Sequence, residues 1–494
     1  MGIDISLISP PSRSTDHYRP PLALMYLSAF LEARGVITEI IDLKATRQKG
    51  HRSQLPANVA QEIVARLCES RSAMVGITCY TPEFMDVMAL SQLIKKSLPQ
   101  IKVIVGGVHP TLKPEDFIYE GSPVDFAVIG EGEVTLYELL YRFMQGGTCR
   151  ESLGLATLGE NGKLRANPPR PLIENIDLLP FPTYNKINMK YYTMPNPYAV
   201  RGIPLCSFYI SYGRGCPFNC TFCVSKHLRK LAGPGHYVRY RSAEGAADEL
   251  ELLKRNYHID AFYIIDDTFS ADIGRAIDFC EELISRKLDL LWACTTRVNQ
   301  TTDELLIKMK KSGCVQVDFG IESGSEECLK RVKKGINLSQ IREAFEICQR
   351  IGMRTFANIL VNIPGETEED LRKTVELLDE LKPSICSINV LTPYLGTDVY
   401  NESELNLRVE EYEILGKPPT EIIRDKRFLF ADHDIDIEKF RDEYFLKYNP
   451  LSNFLRFLFS KQYITQILRS HRKLDYVRQI PEWYREFRKQ RGVT

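Results

Sequence analysis

Short, unbroken apolar runs alternate with helical patterns along most of this 494-residue chain, and the alternation comes in two blocks. In the first block the apolar runs are residues 3–8, 36–41, 74–78, 102–105 and 125–129, with helical patterns at 22–34, 59–69, 84–96 and 133–144 between them. Parallel strands buried on both faces read as continuous Val and Ile runs, and their crossovers are helices. Five such strands predict an α/β domain over residues 1–145, a doubly wound parallel sheet of the Rossmann-like or flavodoxin-like kind. In the second block the runs are 206–211, 261–265, 291–295, 315–319, 355–361 and 385–391, with helical patterns at 243–255, 274–285, 302–311, 339–350 and 368–381. Six strand–helix units predict a partial (β/α)6 barrel of the TIM type over residues 204–400. Between the blocks, residues 146–203 are rich in Pro, Asn and Tyr and read as a linker, with Pro180-Phe181-Pro182 breaking any helix. Residues 401–494 read as a mainly helical C-terminal segment.

A chain of this length exceeds one hydrophobic core, so several domains are expected. Lys+Arg and Asp+Glu both number 64, so no net charge points to nucleic acid, and none is expected as a partner. No apolar run approaches the roughly 18 residues of a membrane-spanning helix, and the N-terminus lacks a signal-peptide pattern. The thirteen cysteines have no disulfide-scaffold spacing, which suits a reducing cytoplasm. Cys280, Cys314, Cys328 and Cys348 fall within strand or helix patterns and read as small buried apolar groups.

In parallel α/β folds the chemistry sits at the carboxyl ends of the strands. The first strand of the second block runs directly into Arg214-Gly215-Cys216-Pro217-Phe218-Asn219-Cys220-Thr221-Phe222-Cys223, a C-x3-C-x2-C run. Pro217 and Asn219 favour a tight loop. Cysteine thiolates hold iron–sulfur cubanes through four positions, and this loop offers three, leaving one iron open. A Cys3His zinc site completed by His227 is the alternative. The other strand ends carry Asp266-Asp267-Thr268, Thr296-Arg297, Gly320-Ile321-Glu322-Ser323-Gly324 and Asn362-Ile363-Pro364-Gly365-Glu366-Thr367. Asp266 and Asp267 suit either a ligand or a helix cap. Arg297 suits either a carboxylate ligand or a salt bridge. Thr367 and Glu369 are expected to start the next helix. In the first block the strand ends carry Ser9-Pro10-Pro11-Ser12-Arg13, Thr78-Cys79-Tyr80-Thr81, Gly106-Gly107-Val108-His109-Pro110-Thr111 and Gly130-Glu131-Gly132-Glu133. Glycine there lets a ligand approach the backbone. A fold of the same kind holding a phosphate ligand, or no cofactor, is the alternative.

The cysteine run, with Phe222 between its second and third cysteines, resembles the cluster motif of the radical S-adenosylmethionine (radical SAM) superfamily. The resemblance implies a 4Fe–4S cluster on Cys216, Cys220 and Cys223, with S-adenosylmethionine on the open iron. It implies that Phe222, Asp266, Arg297, Glu322 and Ser323 face S-adenosylmethionine. Gly-Gly-x-His-x-Thr and Gly-Glu-Gly-Glu make the first block similar to the cobalamin-binding (B12-binding) domains that precede many radical SAM enzymes. Thr78, Gly106, Gly107 and His109, with Thr81, are the implied cobalamin contacts. The Asp-x-His-x-x-Gly pattern for a lower cobalt ligand is absent, and His17 stands at the wrong spacing. Together the resemblances cover roughly residues 1–400 and imply a radical SAM methyltransferase of the cobalamin-dependent class, which methylates an unactivated carbon through a 5′-deoxyadenosyl radical. A cyclase or oxidoreductase with the same cofactors is the alternative, and a non-catalytic metal-binding protein is a remote one. No second cluster motif is present, which argues against methylthiolation. Expected partners are a small-molecule substrate (a lipid, a natural-product intermediate or a tetrapyrrole) and an electron donor such as flavodoxin or ferredoxin. Phe454-Leu455-Arg456-Phe457 and Trp483-Tyr484-Arg485 mix aromatics with bases, so the C-terminal segment closes the substrate cavity, packs on the barrel or contacts a membrane surface.

Overall fold

The computed structural model describes residues 2–11, 19–44, 56–147, 149 and 151–490, apart from the side chains of 57, 482–484 and 486–490. Ser12, Arg13, His17 and the side chains of Trp483 and Tyr484 lie outside the described residues.

The chain divides into two compact units that are not continuous in sequence. The first comprises Met1–Asn188, Cys223–Tyr237 and Pro393–Ile422. Its sheet is built from β1 (Ile5–Ser9), β2 (Thr38–Asp42), β3 (Met74–Thr78), β4 (Lys102–Gly106), β5 (Phe126–Val128), β6 (Leu155–Leu158) and β7 (Leu164–Ala166), in the order β2-β1-β3-β4-β5-β6-β7. The first five are parallel, as the Val/Ile runs predict, and the order reverses at β1. The last two pair antiparallel on the β5 edge. They fall where the sequence suggests a linker. Part of that stretch is therefore a hairpin that lengthens the sheet, turned at Asn161-Gly162 with Gly162 at φ +72°.

The second unit comprises Met189–Phe222, Val238–Thr392 and Ile423–Thr494. Its six principal strands are all parallel: β8 (Ser207–Ile210), β11 (Ala261–Ile264), β12 (Leu291–Thr296), β13 (Cys314–Glu322), β14 (Arg354–Val361) and β15 (Ile385–Val390), each beside its neighbour in sequence. Two-residue strands β9 (Gly213–Arg214) and β10 (Arg239–Tyr240) pair antiparallel at the two ends of the cysteine-bearing stretch. Side-chain caps fix where the outer helices begin. Ser242, Asp272, Thr302, Asn337 and Thr367 each accept a bond from a backbone N–H of the first turn. Thr367 forms a capping box with Asp370, whereas the sequence suggests Glu369, which is exposed and pairs with Arg372. An aromatic cluster of Phe262, Phe269, Phe279 and Trp292 fills the space between β11, β12 and their helices, with Phe262 stacked on Trp292 at 5.8 Å.

The C-terminal helices of this unit, Ile437–Tyr448, Leu451–Leu458, Lys461–Arg469 and Lys473–Gln490, close the amino ends of the strands. Tyr476 donates to Asp260 at 2.8 Å and accepts from the Cys206 amide at 3.0 Å. Ser470 donates to Asp260, Gln466 to the Asp260 carbonyl and Tyr463 to the Pro204 carbonyl. Asn449 bonds both backbone groups of Cys386 in β15. Packing is thus what this part of the C-terminal segment does, and the carboxyl ends stay available for chemistry. Among the described residues no helix is long and apolar enough to cross a membrane.

Candidate functional site

In the second unit the sequence brings its unusual residues to the carboxyl ends, and the structure binds several of them to one another. Cys216 and Cys220 are buried, and Cys223, where the segment belonging to the first unit begins, is half-buried. The Cys216 sulfur lies 3.8 Å from the Thr268 hydroxyl. Arg297 is the main brace of the loop. Its guanidinium lies 3.9 Å from the centre of the Phe218 ring, donates to the Cys220 sulfur at 3.4 Å and donates to the Lys334 carbonyl. The Thr221 amide is tied to the Val332 carbonyl at 3.0 Å, so the segment around Lys334 anchors the loop twice.

Lys334 also pairs with Glu322 at 2.6 Å, and both side chains are buried. Glu322 sits at φ +68°, on a bulge between β13 and β14. Gly320 makes room for the pair: a Cβ there would lie 2.6 Å from both the Glu322 carboxylate and the Lys334 ammonium. Ser323 is fully buried between Thr374 at 3.1 Å and the Ser325 amide. Gly324 lets the loop touch the backbone of the helix Glu368–Leu381, 2.4 Å from where its Cβ would be. Asn362, at φ +68°, holds the carbonyls of Leu391 and Phe428 and accepts from Phe430 N–H. This braces the Pro364-Gly365-Glu366 turn. Glu366 is fully buried, 3.8 Å from His433, and burial pushes its carboxyl up.

Asp266 differs from these. One carboxylate oxygen accepts from the Tyr212 amide at 2.9 Å and from Ser211, while the other is buried with no partner. Burial, opposed by these hydrogen bonds, pushes its carboxyl up to about 7. Two readings of the sequence resolve here. Asp266 is not a helix cap, because Asp272 caps the following helix. Arg297 makes no salt bridge among the described residues, and its donors go to the Cys220 sulfur, the Lys334 carbonyl and the Asn299 side chain. Phe222 is half-buried.

In the first unit the strand ends are shaped by backbone. Gly107, at φ +106°, follows β4, and a Cβ there would come within 3.0 Å of the Thr78 hydroxyl and 3.1 Å of the Cys79 carbonyl. Thr78 and Gly107 are therefore in close contact. At Gly106 a Cβ would meet only ordinary contacts, so the chain itself does not demand glycine there. Gly130, at φ +79°, has open space around it, and its amide donates to Thr111, which donates in turn to the Gly107 carbonyl. Thr111 thus joins the two glycine loops. Thr81 is buried. The Ser9 hydroxyl, at the end of β1, is buried with no partner. His109 is set deep in the same unit. It is fully buried, its Nε2 lies 3.0 Å from Asp116, and Phe84, Phe117 and Tyr412 surround its ring. Tyr412 donates to the same Asp116 oxygen at 2.9 Å. His109 anchors the 409–416 segment through Asp116, while its buried Nδ1 has no hydrogen-bond partner.

His227, the fourth ligand a zinc site needs, is held by Asp398 at 2.8 Å, and Lys226 pairs with the same carboxylate. Among the described residues no three His, Cys, Asp or Glu side chains converge on a single-ion geometry. A mononuclear site needs such convergence, whereas a cubane distributes three thiolates over three irons. Three thiols in one loop, an arginine against one sulfur and a carboxylate with one free buried oxygen at the next strand end fit a cluster with a cationic, amine-bearing ligand. The close Thr78–Gly107 contact and the open space at Gly130 fit a large ligand held along backbone.

Lys334, Thr374, His433, Asp116 and Tyr412 escape the sequence reading. Thr374 and Tyr412 stand 51 and 296 positions from the residues they hold, Lys334 and Asp116 only 12 and 7, and none has a local signature.

Comparison with known proteins agrees with this geometry. The family model described as the radical SAM superfamily matches residues 210–378, and that described as the B12 binding domain matches residues 13–140. An uncharacterized methyltransferase of Pyrococcus horikoshii is 32% identical over 407 residues, covering 81% of this chain and 83% of the relative. The anaerobic magnesium-protoporphyrin IX monomethyl ester cyclase of Rubrivivax gelatinosus is 28% identical, covering 80% of this chain and 68% of the relative. Among solved structures, the radical S-adenosylmethionine methyltransferase TsrM of Kitasatospora setae, with tryptophan substrate and an S-adenosylmethionine analogue bound, shares the fold. It superposes with a TM-score of 0.65 at 20% identity, covering 80% of this chain and 75% of that one.

Proposed function

We infer the activity from one premise: this chain belongs to the cobalamin-binding radical SAM methyltransferase family. It is a cobalamin-dependent radical SAM enzyme that methylates an unactivated carbon of a small-molecule substrate. When bound, the cluster and S-adenosylmethionine supply a 5′-deoxyadenosyl radical, and cobalamin supplies the methyl group.

The residues take these roles in our reading. Cys216, Cys220 and Cys223 hold the cluster. Arg297 keeps Cys220 oriented and charge-matched, and it is a positioning residue, not a contact to the S-adenosylmethionine carboxylate. The free oxygen of Asp266 accepts from the amine or a hydroxyl of S-adenosylmethionine. Glu322 and Lys334 neutralise each other beside that ligand. Ser323 supports the loop through Thr374. Thr78, Gly106 and Gly107, with Gly130, border the passage for cobalamin. His109 is held at Nε2 by Asp116 and keeps a buried, unpartnered Nδ1, so it stays a candidate cobalamin contact.

The observation that carries this reading is the cysteine loop itself. It leaves the first strand of an all-parallel sheet at its carboxyl end and is braced there by an arginine on one sulfur. The test is anaerobic reconstitution with iron, sulfide and cobalamin, followed by S-adenosylmethionine turnover. Formation of 5′-deoxyadenosine together with S-adenosylhomocysteine supports methylation, and a cluster-loaded protein that retains no cobalamin sinks it. The similarity to a cyclase favours a second reading, ring formation with the same cofactors. That reaction yields no S-adenosylhomocysteine when substrate is present. A flavodoxin or ferredoxin is the electron donor this chemistry calls for. None of the thirteen cysteines is in a disulfide, which fits a reducing cytoplasm.

A further inference from the structure

The helices Leu451–Leu458, Lys461–Arg469 and Lys473–Gln490 each carry apolar residues on two sides, and the fold uses one of them. Phe457, Tyr463 and Tyr476 are buried, and the last two hold strand ends as described above. On the other side Leu451, Leu455 and Phe459 stand exposed at intervals of four, and so do Ile464 and Leu468. Leu474 and Val477 follow at an interval of three. These spacings place each set on one helix face. Phe459 is 74% exposed, Leu474 70% and Leu468 65%, far beyond what a scattered surface residue needs.

Charge accompanies them. Residues 451–480 hold six Lys and Arg against one Asp, a net +5, although the whole chain sums to zero. Asp475 pairs with Arg472 and Arg469 pairs with Asp289, but Arg456, Lys461 and Lys473 have no carboxylate partner among the described residues. We propose that residues 451–480 are a docking surface for an anionic lipid bilayer, with the exposed Leu, Phe and Val side chains entering the headgroup region and the bases meeting lipid phosphates. The charge decides against a second copy of this chain, since a two-fold contact would press two +5 faces together. Apolar residues on short amphipathic helices, none long enough to cross, fit binding in the plane of the interface. This surface is independent of the chemistry in the barrel, so its failure leaves the proposed activity standing.

The test is flotation of the full-length, cluster-loaded protein with phosphatidylglycerol-containing vesicles and with pure phosphatidylcholine vesicles. Three free bases at about 1 kcal/mol each predict binding on the order of a hundredfold tighter to the anionic vesicles, weakened by salt. The triple variant Arg456→Glu, Lys461→Glu, Lys473→Glu should lose that preference. The triple variant Phe459→Ser, Leu468→Ser, Val477→Ser should lose binding to both. Cleavage of S-adenosylmethionine should be unchanged in each, which also reports that the variants fold. Should either variant misfold, the salt dependence of the unaltered protein on the two vesicle types decides. Equal binding to both lipids, or none to either, overturns the proposal. So does a dimer in light scattering that the apolar variant dissociates, since copies of this chain would then cover the face.

Discussion

The carboxyl ends of the two parallel sheets carry their functional residues in opposite ways. In the six-stranded sheet the polar side chains are paired in advance: Arg297 with Cys220, Glu322 with Lys334, Ser323 with Thr374. In the seven-stranded sheet the ends carry glycine and small hydroxyl residues at Thr78, Gly107 and Gly130, and His109 lies buried among aromatics. The difference follows from what each must hold. A cluster and a small charged ligand need a few donors fixed within fractions of an ångström, and pairing supplies that rigidity. A large macrocycle with a long tail needs space and backbone, which glycine supplies and side chains would fill.

The contrast breaks most visibly at the cysteines. Replacing Cys216, Cys220 or Cys223 by Ala should abolish 5′-deoxyadenosine formation and lower iron content, while bound cobalamin stays near one per chain. Undiminished 5′-deoxyadenosine from any of the three would remove the loop from the mechanism. Loss of cobalamin along with iron would show that the two sites are not separable.

Asp266 comes next. Its carboxyl titrates at about 7 in the folded chain against an ordinary 3.8. Between those values the folded state holds a proton that the unfolded state has released. Stability therefore falls as pH rises from about 4 to about 7 and is flat, for this group, above. Three pKa units correspond to roughly 4 kcal/mol at most. Asp266→Asn should remove that slope in urea unfolding of the ligand-free protein and should weaken S-adenosylmethionine binding about tenfold. An unchanged slope would mean that Asp266 is already ionised in the folded chain.

On the other sheet, Gly107→Ala forces a side chain to φ +106° and to within 3.0 Å of the Thr78 hydroxyl. Strain of this kind costs about 1–3 kcal/mol. The variant should retain less cobalamin with iron content unchanged, whereas Gly106→Ala, with only ordinary contacts, should behave as the parent does. Equal losses from both would put the tail's passage elsewhere.

How much of this was legible in the sequence depends on range. Every Val/Ile run became a strand, because a strand buried on both faces is written in consecutive residues. The cysteine loop was legible for the same reason, with three ligands in eight positions. The hairpin at residues 155–166 was overlooked, although Asn161-Gly162 between two short runs is the local signal for one. The pairings carry no such signal. Arg297 and Cys220 are 77 positions apart, and Ser323 and Thr374 are 51 apart. His109 shows the converse. It occupies a motif position at a strand end, but Asp116 and Tyr412, the latter 296 positions beyond Asp116, decide where its ring goes.

Arg297 gives the smallest and sharpest test. As a carboxylate ligand for S-adenosylmethionine, its change to Lys would raise the dissociation constant for that ligand and leave the cluster alone. As a brace, the reverse holds. Lysine keeps the charge but cannot stack on Phe218 while donating to both Cys220 and the Lys334 carbonyl, as the planar guanidinium does. One lost charge-assisted bond is worth about 1.5 kcal/mol, so Arg297→Lys should release iron to a chelator roughly tenfold faster, with S-adenosylmethionine affinity nearly unchanged. The cluster's midpoint potential should shift downward, because a hydrogen bond to the ligand sulfur favours the reduced form. A variant with parental iron retention and potential but weakened S-adenosylmethionine binding would return Arg297 to the ligand. It would then make the pre-paired strand ends of the barrel more like the open ends of the first sheet.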